Sequence, residues 1–182
     1  AQIEQLEAAG TQAPAVENAE SLDAIYSTFE VIGEVTGKSE EAAELVTQVK
    51  DEIAAVQAKV EGLEKRSAFI VVGAEPDLYV VGQDNYMNEM LELINVENKV
   101  TESGWVQYSA EDFVAANPNT LVFTYPSDVD AVKSNAAFAE MTAVKTNALQ
   151  IVDGDTTSRQ GPRISAGLES MAKAIYPEAF NE

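Results

Sequence analysis

The chain contains no cysteine and no histidine. The first absence removes disulfides, thiolate metal sites and thiol nucleophiles, and leaves the redox compartment open. The second removes serine–histidine catalysis, imidazole acid–base work and histidine metal ligation. Positive charge is also short, with 11 Lys and Arg against 31 Asp and Glu and a net charge of −20. Its arginines are Arg66, Arg159 and Arg163. So acidic a body repels nucleic acid and anionic membrane surfaces, and it suits a basic protein partner. No apolar run approaches the ~20 residues of a membrane span, and no basic start with an apolar core opens the chain. Gly73, Gly82 and Gly154 read as strand terminators and form no phosphate-cradling motif.

What is present is ordinary in bulk: 182 residues, 46% hydrophobic and 23% charged, enough for one domain and part of another. The stretch from Ser39 to Arg66 organises the rest. Ala42, Leu45, Val46, Val49, Ile53, Val56, Val60 and Leu63 recur at gaps of three and four, which predicts one buried helix face. Ser39 is expected as the cap, Glu40 and Glu41 in the first turn, and Lys65 and Arg66 at the carbonyl end. A helix of roughly 27 residues would measure about 40 Å.

Ahead of it, AQIEQLEAAG carries Ile3, Leu6 and Ala9 at helical spacing, and the next residues suit a short strand interrupted by Pro14. Ser21 then caps a helix with Leu22, Ile25, Tyr26, Phe29 and Ile32 on one face, broken by Gly33 and Gly37. Helix, strand, helix is the tail of an α/β unit, with too little apolar surface to form a core alone.

After it, SAFIVVG, LYVVG, ENKV, TLVFTY and ALQIVDG read as strands. They alternate with helices beginning near Asp84 (as a cap), Ser109, Asp128 and Pro162. This alternation predicts an α/β fold: a mainly parallel sheet with flanking helices.

Ligands in such sheets sit beyond the carboxyl ends of strands, which selects three loops. The first offers Gln83, Asn85 and Tyr86. The second, ESGWVQYSAEDF, holds the single tryptophan, Trp105, with Tyr108, and leads into Glu111 and Asp112. The third, DGDTTSRQGPR, holds Arg159 and Arg163, whose planar guanidinium groups suit a carboxylate or catecholate as well as a structural acid. Asp153 with Asp155 could hold magnesium, and Glu75 with Asp77 could form an acid pair. Neither comes with a supporting framework, and no nucleophile elbow is present, so an enzyme is not expected.

The ordered set SLDAIYSTFEVIGEVTGKSEEA, the long helix, GQDNYMNEMLELINVENKV, GWVQYSAEDFVAANPNTLVFT and QGPRISAGLESMAKAIYPEAF resembles the solute-binding proteins of ABC-type importers for ferric siderophores, cobalamin and haem. These have two α/β lobes joined by one rigid helix. The resemblance runs from about Ser21 to the C-terminus. It implies that residues 1–38 are the remnant of an N-terminal lobe, 39–66 the interlobe helix and 67–182 the C-terminal lobe.

By the same resemblance Glu111 matches the lobe-tip glutamate that docks on permease arginines. Trp105 matches a ligand-facing aromatic of the cobalamin-binding member, and Arg163 and Tyr86 transfer with it; Arg159 and Tyr108 join the candidate ligand site from the loop reading alone. The implied function is the substrate-binding component of an ABC importer, non-enzymatic and without a cofactor, capturing an iron-siderophore-type chelate. Cobalamin or haem is the alternative cargo, and haem held by histidine is excluded. The implied location is extracytoplasmic, as a periplasmic protein or cell-surface lipoprotein. The few arginines fit a neutral or weakly anionic chelate. Where the family often has a glycine pair, this chain has Asn95 and Val96. A reading of another class is a ligand-free module that dimerises through its exposed helix and N-terminal remnant, where the apolar faces of Ile25, Phe29 and Ile32 would seek cover.

Overall fold

The structure, a computed structural model, describes Ala8 and residues 18–181. The helix expected around Ile3 and Leu6 and the strand expected around Pro14 lie outside the described residues, apart from Ala8, which is helical.

From residue 18 onward two helices lead: α1 (Leu22–Thr36) and α2 (Ser39–Val60). Ser21 caps α1 as expected, accepting from the Ala24 N–H at 3.1 Å. Gly37 ends it in the left-handed conformation, φ 70°. Gly33 does not break the helix. It lies buried within α1, where a Cβ would stand 2.5 Å from the Ala42 Cβ, so its missing side chain lets α2 close onto α1.

α2 is 22 residues long, and Ala42, Val46, Val49, Ile53, Val56 and Val60 are buried along it. It is shorter than the spacing predicts. Ser39 is its first residue rather than its cap; Lys38 holds the cap position without a side-chain bond. The helix stops at Val60, because Gly62 turns the chain at φ 77°. Leu63 still packs on the core from outside the helix.

Arg66 therefore starts a strand, β1 (Arg66–Gly73), instead of ending a helix. Its guanidinium donates to the Ile175 carbonyl and pairs with Glu178 at 2.6 Å. It also stands 4.7 Å from the centre of the Tyr176 ring. The Tyr176 hydroxyl accepts from the Arg66 N–H at 3.2 Å. It lies within reach of the Asn95 carbonyl at 2.8 Å and the Glu64 carbonyl at 3.2 Å. One phenol thus joins the exit of α2, the start of β1 and the residue before the strand Val96–Asn98.

The remaining elements are β2 (Tyr79–Val81), α3 (Tyr86–Leu93), β3 (Val96–Asn98), β4 (Trp105–Gln107), α4 (Ala110–Ala116), β5 (Thr120–Phe123), α5 (Pro126–Ser134), α6 (Thr142–Lys145), β6 (Leu149–Ile151), α7 (Gly154–Thr157) and α8 (Ile164–Ile175). Short 3-10 turns cover Ala136–Phe138 and Pro177–Phe180. The strands form one sheet ordered β4-β2-β1-β5-β6, with β3 beside β1. β1 pairs in parallel with β3 and β5, and β5 with β6. β2 alone is reversed, pairing antiparallel with β1 and β4.

Alternation along the strands sorts two cores. Ala68, Ile70, Val81 and Val122 face α1, α2, α3 and α8. Phe69, Val71, Val80, Leu121 and Phe123 face α4, α5 and α6. Each fully buried Leu, Ile, Val, Phe or Met contributes about 1.5–3 kcal/mol. Among the described residues, no helix is long and apolar enough to cross a membrane.

Candidate functional site

The site is built by a close approach of two backbones. The Gly82 N–H donates to Gly104 O, the Gln83 N–H to Glu102 O and the Gly104 N–H to Gln83 O, all at 2.7 Å. A Cβ on Gly82 would fall 2.1 Å from Glu102 O, so a side chain there would push the two segments apart. This bridge sets the entry to α3 beside the start of β4.

The α3 cap is Asn85, whose side chain accepts from the Met87 N–H at 2.9 Å. Asp84, the residue expected to cap it, instead adopts a left-handed backbone, φ 52°, and turns outward. There its carboxylate accepts from the Ser103 hydroxyl at 2.6 Å.

Trp105 stands 53% exposed. The segment expected to be a loop around it contains strand β4, whose pleat separates the two aromatics of that segment. Trp105 lies opposite Val81 and shares its face. Tyr108, three residues on, belongs to the opposite face and packs edge-on against Phe69 at 5.7 Å. Burial, then the charges of Glu102 and Asp112, raise its hydroxyl pKa. The two aromatics therefore do not share a site.

The third wall comes from the chain after β6. Asp153 caps α7 by accepting from the Asp155 N–H at 2.9 Å, and Asp155 accepts from Arg159 Nε at 2.9 Å. That ion pair raises the pKa of Arg159. Both carboxylates proposed for magnesium are thus engaged in local bonds. Tyr86 is buried and donates from its hydroxyl to Thr157 O at 3.3 Å, tying α3 to α7. Burial pushes its pKa up to about 12.

Together these segments enclose an open groove of about 670 Å³, lined by Asn18, Ala19, Glu20, Asp84, Asn85, Tyr86, Gly104, Trp105, Ser158, Arg159 and Gln160. The structure thus gathers Trp105, Tyr86 and Arg159 from three distant stretches. Arg163 stands exposed at the N-cap of α8 and is not among the lining residues. Gln83 turns inward, donating to Val100 O and accepting from Asn88 at 3.3 Å. Glu75 and Asp77 are exposed.

Glu111 is not among the residues that line the groove and sits in the first turn of α4. Ser109 and Asp112 cap that helix reciprocally: the Asp112 N–H donates to the Ser109 hydroxyl at 3.0 Å, and the hydroxyl donates back to the carboxylate at 2.6 Å. Asp112 is therefore committed to the cap. Glu111 is exposed, with no side-chain hydrogen bond or ion pair among the described residues.

Sequence reasoning missed Asn18, Ala19, Glu20, Ser158 and Gln160. They precede α1 or follow α7, and neither periodicity nor a motif marks them. The signal that existed was the polar, Gly-flanked setting of Trp105, unusual for a core tryptophan.

A mainly parallel sheet, a long helix and a groove at the loops beside Trp105 define an α/β binding protein. A family model described as periplasmic binding protein matches residues 1–156; the chain belongs to the periplasmic binding protein family. YvrC of Bacillus subtilis, an uncharacterized ABC transporter substrate-binding lipoprotein, is 37% identical over 184 residues, covering 99% of this chain and 59% of that protein. The chain thus spans 59% of the length of that curated relative. A possible iron-binding (periplasmic solute-binding) protein from Staphylococcus epidermidis superposes with a TM-score of 0.87 at 33% identity, over 96% of this chain and 70% of that one. The periplasmic heme-binding protein RhuT from Roseiflexus, in apo form, superposes with a TM-score of 0.86 at 20% identity, over 97% and 70%. At that identity the likeness shows the fold alone.

Proposed function

We propose that this chain is the substrate-binding part of an ABC importer that captures an iron-siderophore-type metal chelate and hands it to the permease. The observation that carries this reading is the exposed Trp105, held by strand β4 at the mouth of a groove shared with Tyr86 and Arg159. A half-exposed indole beside a guanidinium offers a stacking face and hydrogen-bond donors to an organic chelate. The relatives support the class: one is a substrate-binding lipoprotein and another a possible iron-binding solute-binding protein.

On this reading the protein works outside the cytoplasm and performs no chemistry on its cargo. Residues 1–38 belong to one lobe, 39–66 pass between lobes and 67–182 form the other. The protein acts by modest closure of stiffly linked lobes, followed by docking of Glu111 on basic permease residues. Cobalamin or haem is the alternative cargo; without histidine, a haem would need another ligand.

Titration of the chain with a gallium(III) chelate, followed by Trp105 fluorescence and light scattering, tests the reading. Saturable quenching of a monomer is expected. A dimer whose fluorescence no chelate alters would replace the reading with the ligand-free module.

A further inference from the structure

We infer that this groove selects neutral or cationic chelates and rejects polyanionic ones. The inference rests on the chelate-carrier reading and deepens it from cargo class to cargo charge. Two carboxylates, Glu20 and Asp84, line the groove against one guanidinium, Arg159. The charge of that guanidinium is partly offset: its Nε donates to Asp155 at 2.9 Å. Counting the liners alone leaves one net negative charge, and Asp155 makes it two. The tyrosine in the wall, Tyr86, is buried and adds no positive charge.

The placement of Asp84 is the specific evidence. Its left-handed backbone carries the side chain away from the α3 cap, which Asn85 takes over, and toward the rim, where Ser103 fixes it. An acid is thereby presented to the groove and is not consumed in capping. The body behind it has a net charge of −20. Local and long-range fields therefore have the same sign, and both oppose an approaching polyanion.

The probes are two gallium(III) complexes: a trihydroxamate carrying one free ammonium, and a tricatecholate, a trianion. Calorimetric titration at low salt is expected to show the trihydroxamate binding at least roughly tenfold tighter, with the gap closing as salt screens the charges. Glu20→Gln with Asp84→Asn should narrow the gap. Asparagine tolerates the left-handed backbone of position 84 and keeps an acceptor for Ser103. A tricatecholate that binds as tightly as the trihydroxamate, or a gap that the paired substitution leaves unchanged, overturns the charge selection while the carrier reading stands. If neither complex binds, the carrier reading fails and the selection fails with it.

Discussion

Gln160 and Ala19 are joined twice. The Ala19 N–H donates to Gln160 Oε1 at 2.8 Å, and Gln160 Nε2 donates to the Ala19 carbonyl at 2.7 Å. A side-chain amide thus imitates a strand partner and holds the segment before α1 against the segment after α7. Glu89 of α3 holds the start of α1 separately, accepting from the Leu22 N–H at 2.7 Å. Because two of the segments that line the groove meet here, Gln160→Ala should cost about 1–2 kcal/mol and sharply speed amide exchange at Ala19. Unaltered exchange at Ala19 would show that the pair does not hold the junction.

Trp105 supports little of the fold, since its indole is half in water. Trp105→Leu is expected to move the melting temperature by no more than about 2 °C while weakening chelate binding roughly tenfold. A variant that binds normally would remove the indole from the site.

Glu111 has the opposite profile. Its carboxylate takes no part in the Ser109–Asp112 cap. Glu111→Ala should leave chelate affinity and stability unchanged and reduce co-purification with the permease. Reduced chelate affinity with normal docking would move Glu111 into the binding site and out of the docking surface.

Val49 is 1% exposed on the face of α2 that meets α1 and α8. Val49→Asp buries an unpaired charge and should lower stability by more than about 3 kcal/mol in chemical denaturation. Full stability would place that face in water.

Asp128, in the first turn of α5, is buried, and its Oδ2 has no partner among the described residues. Burial first, and Glu75 second, raise its pKa; a hydrogen bond from the Ala74 N–H partly offsets this. With a folded pKa above the unfolded value of about 4, its favourable contribution is complete below about pH 4 and is lost as pH rises through the raised value. Asp128→Asn should therefore stabilise the protein by about 1 kcal/mol at pH 7, with the advantage shrinking on acidification. Thermal melts across pH 3–8 would show it, and a variant less stable at pH 7 would contradict it.

Strands β1, β2, β5 and β6 were legible in the sequence because continuous apolar runs such as Phe69–Val72 admit few alternatives, whereas β4, in a polar stretch, read as a loop. The groove was legible only in part. Trp105 and Tyr108 look alike as neighbours in a polar stretch, and only the pleat of a three-residue strand, too short to show alternation, puts them on opposite faces. Gly62 was visible within the long amphipathic stretch, yet the apolar spacing continues through Leu63 and masks the true end of α2. Asp84 and Asn85 are both good caps, and which one serves depends on the bridge to Glu102 and Gly104. Arg159 and Arg163 share a loop in the chain, but Arg159 folds back onto Asp155 of α7 while Arg163 stands at the start of α8.

The Tyr176 hydroxyl sits at the fulcrum of a lever. α2 is about 33 Å long at 1.5 Å per residue, and the chain leaving it is held where this phenol meets Glu64, Arg66 and Asn95. A swivel of about 5° at that pin sweeps the Ser39 end through about 3 Å. Removing a single oxygen at position 176 would therefore be felt most strongly at the far end of the lever.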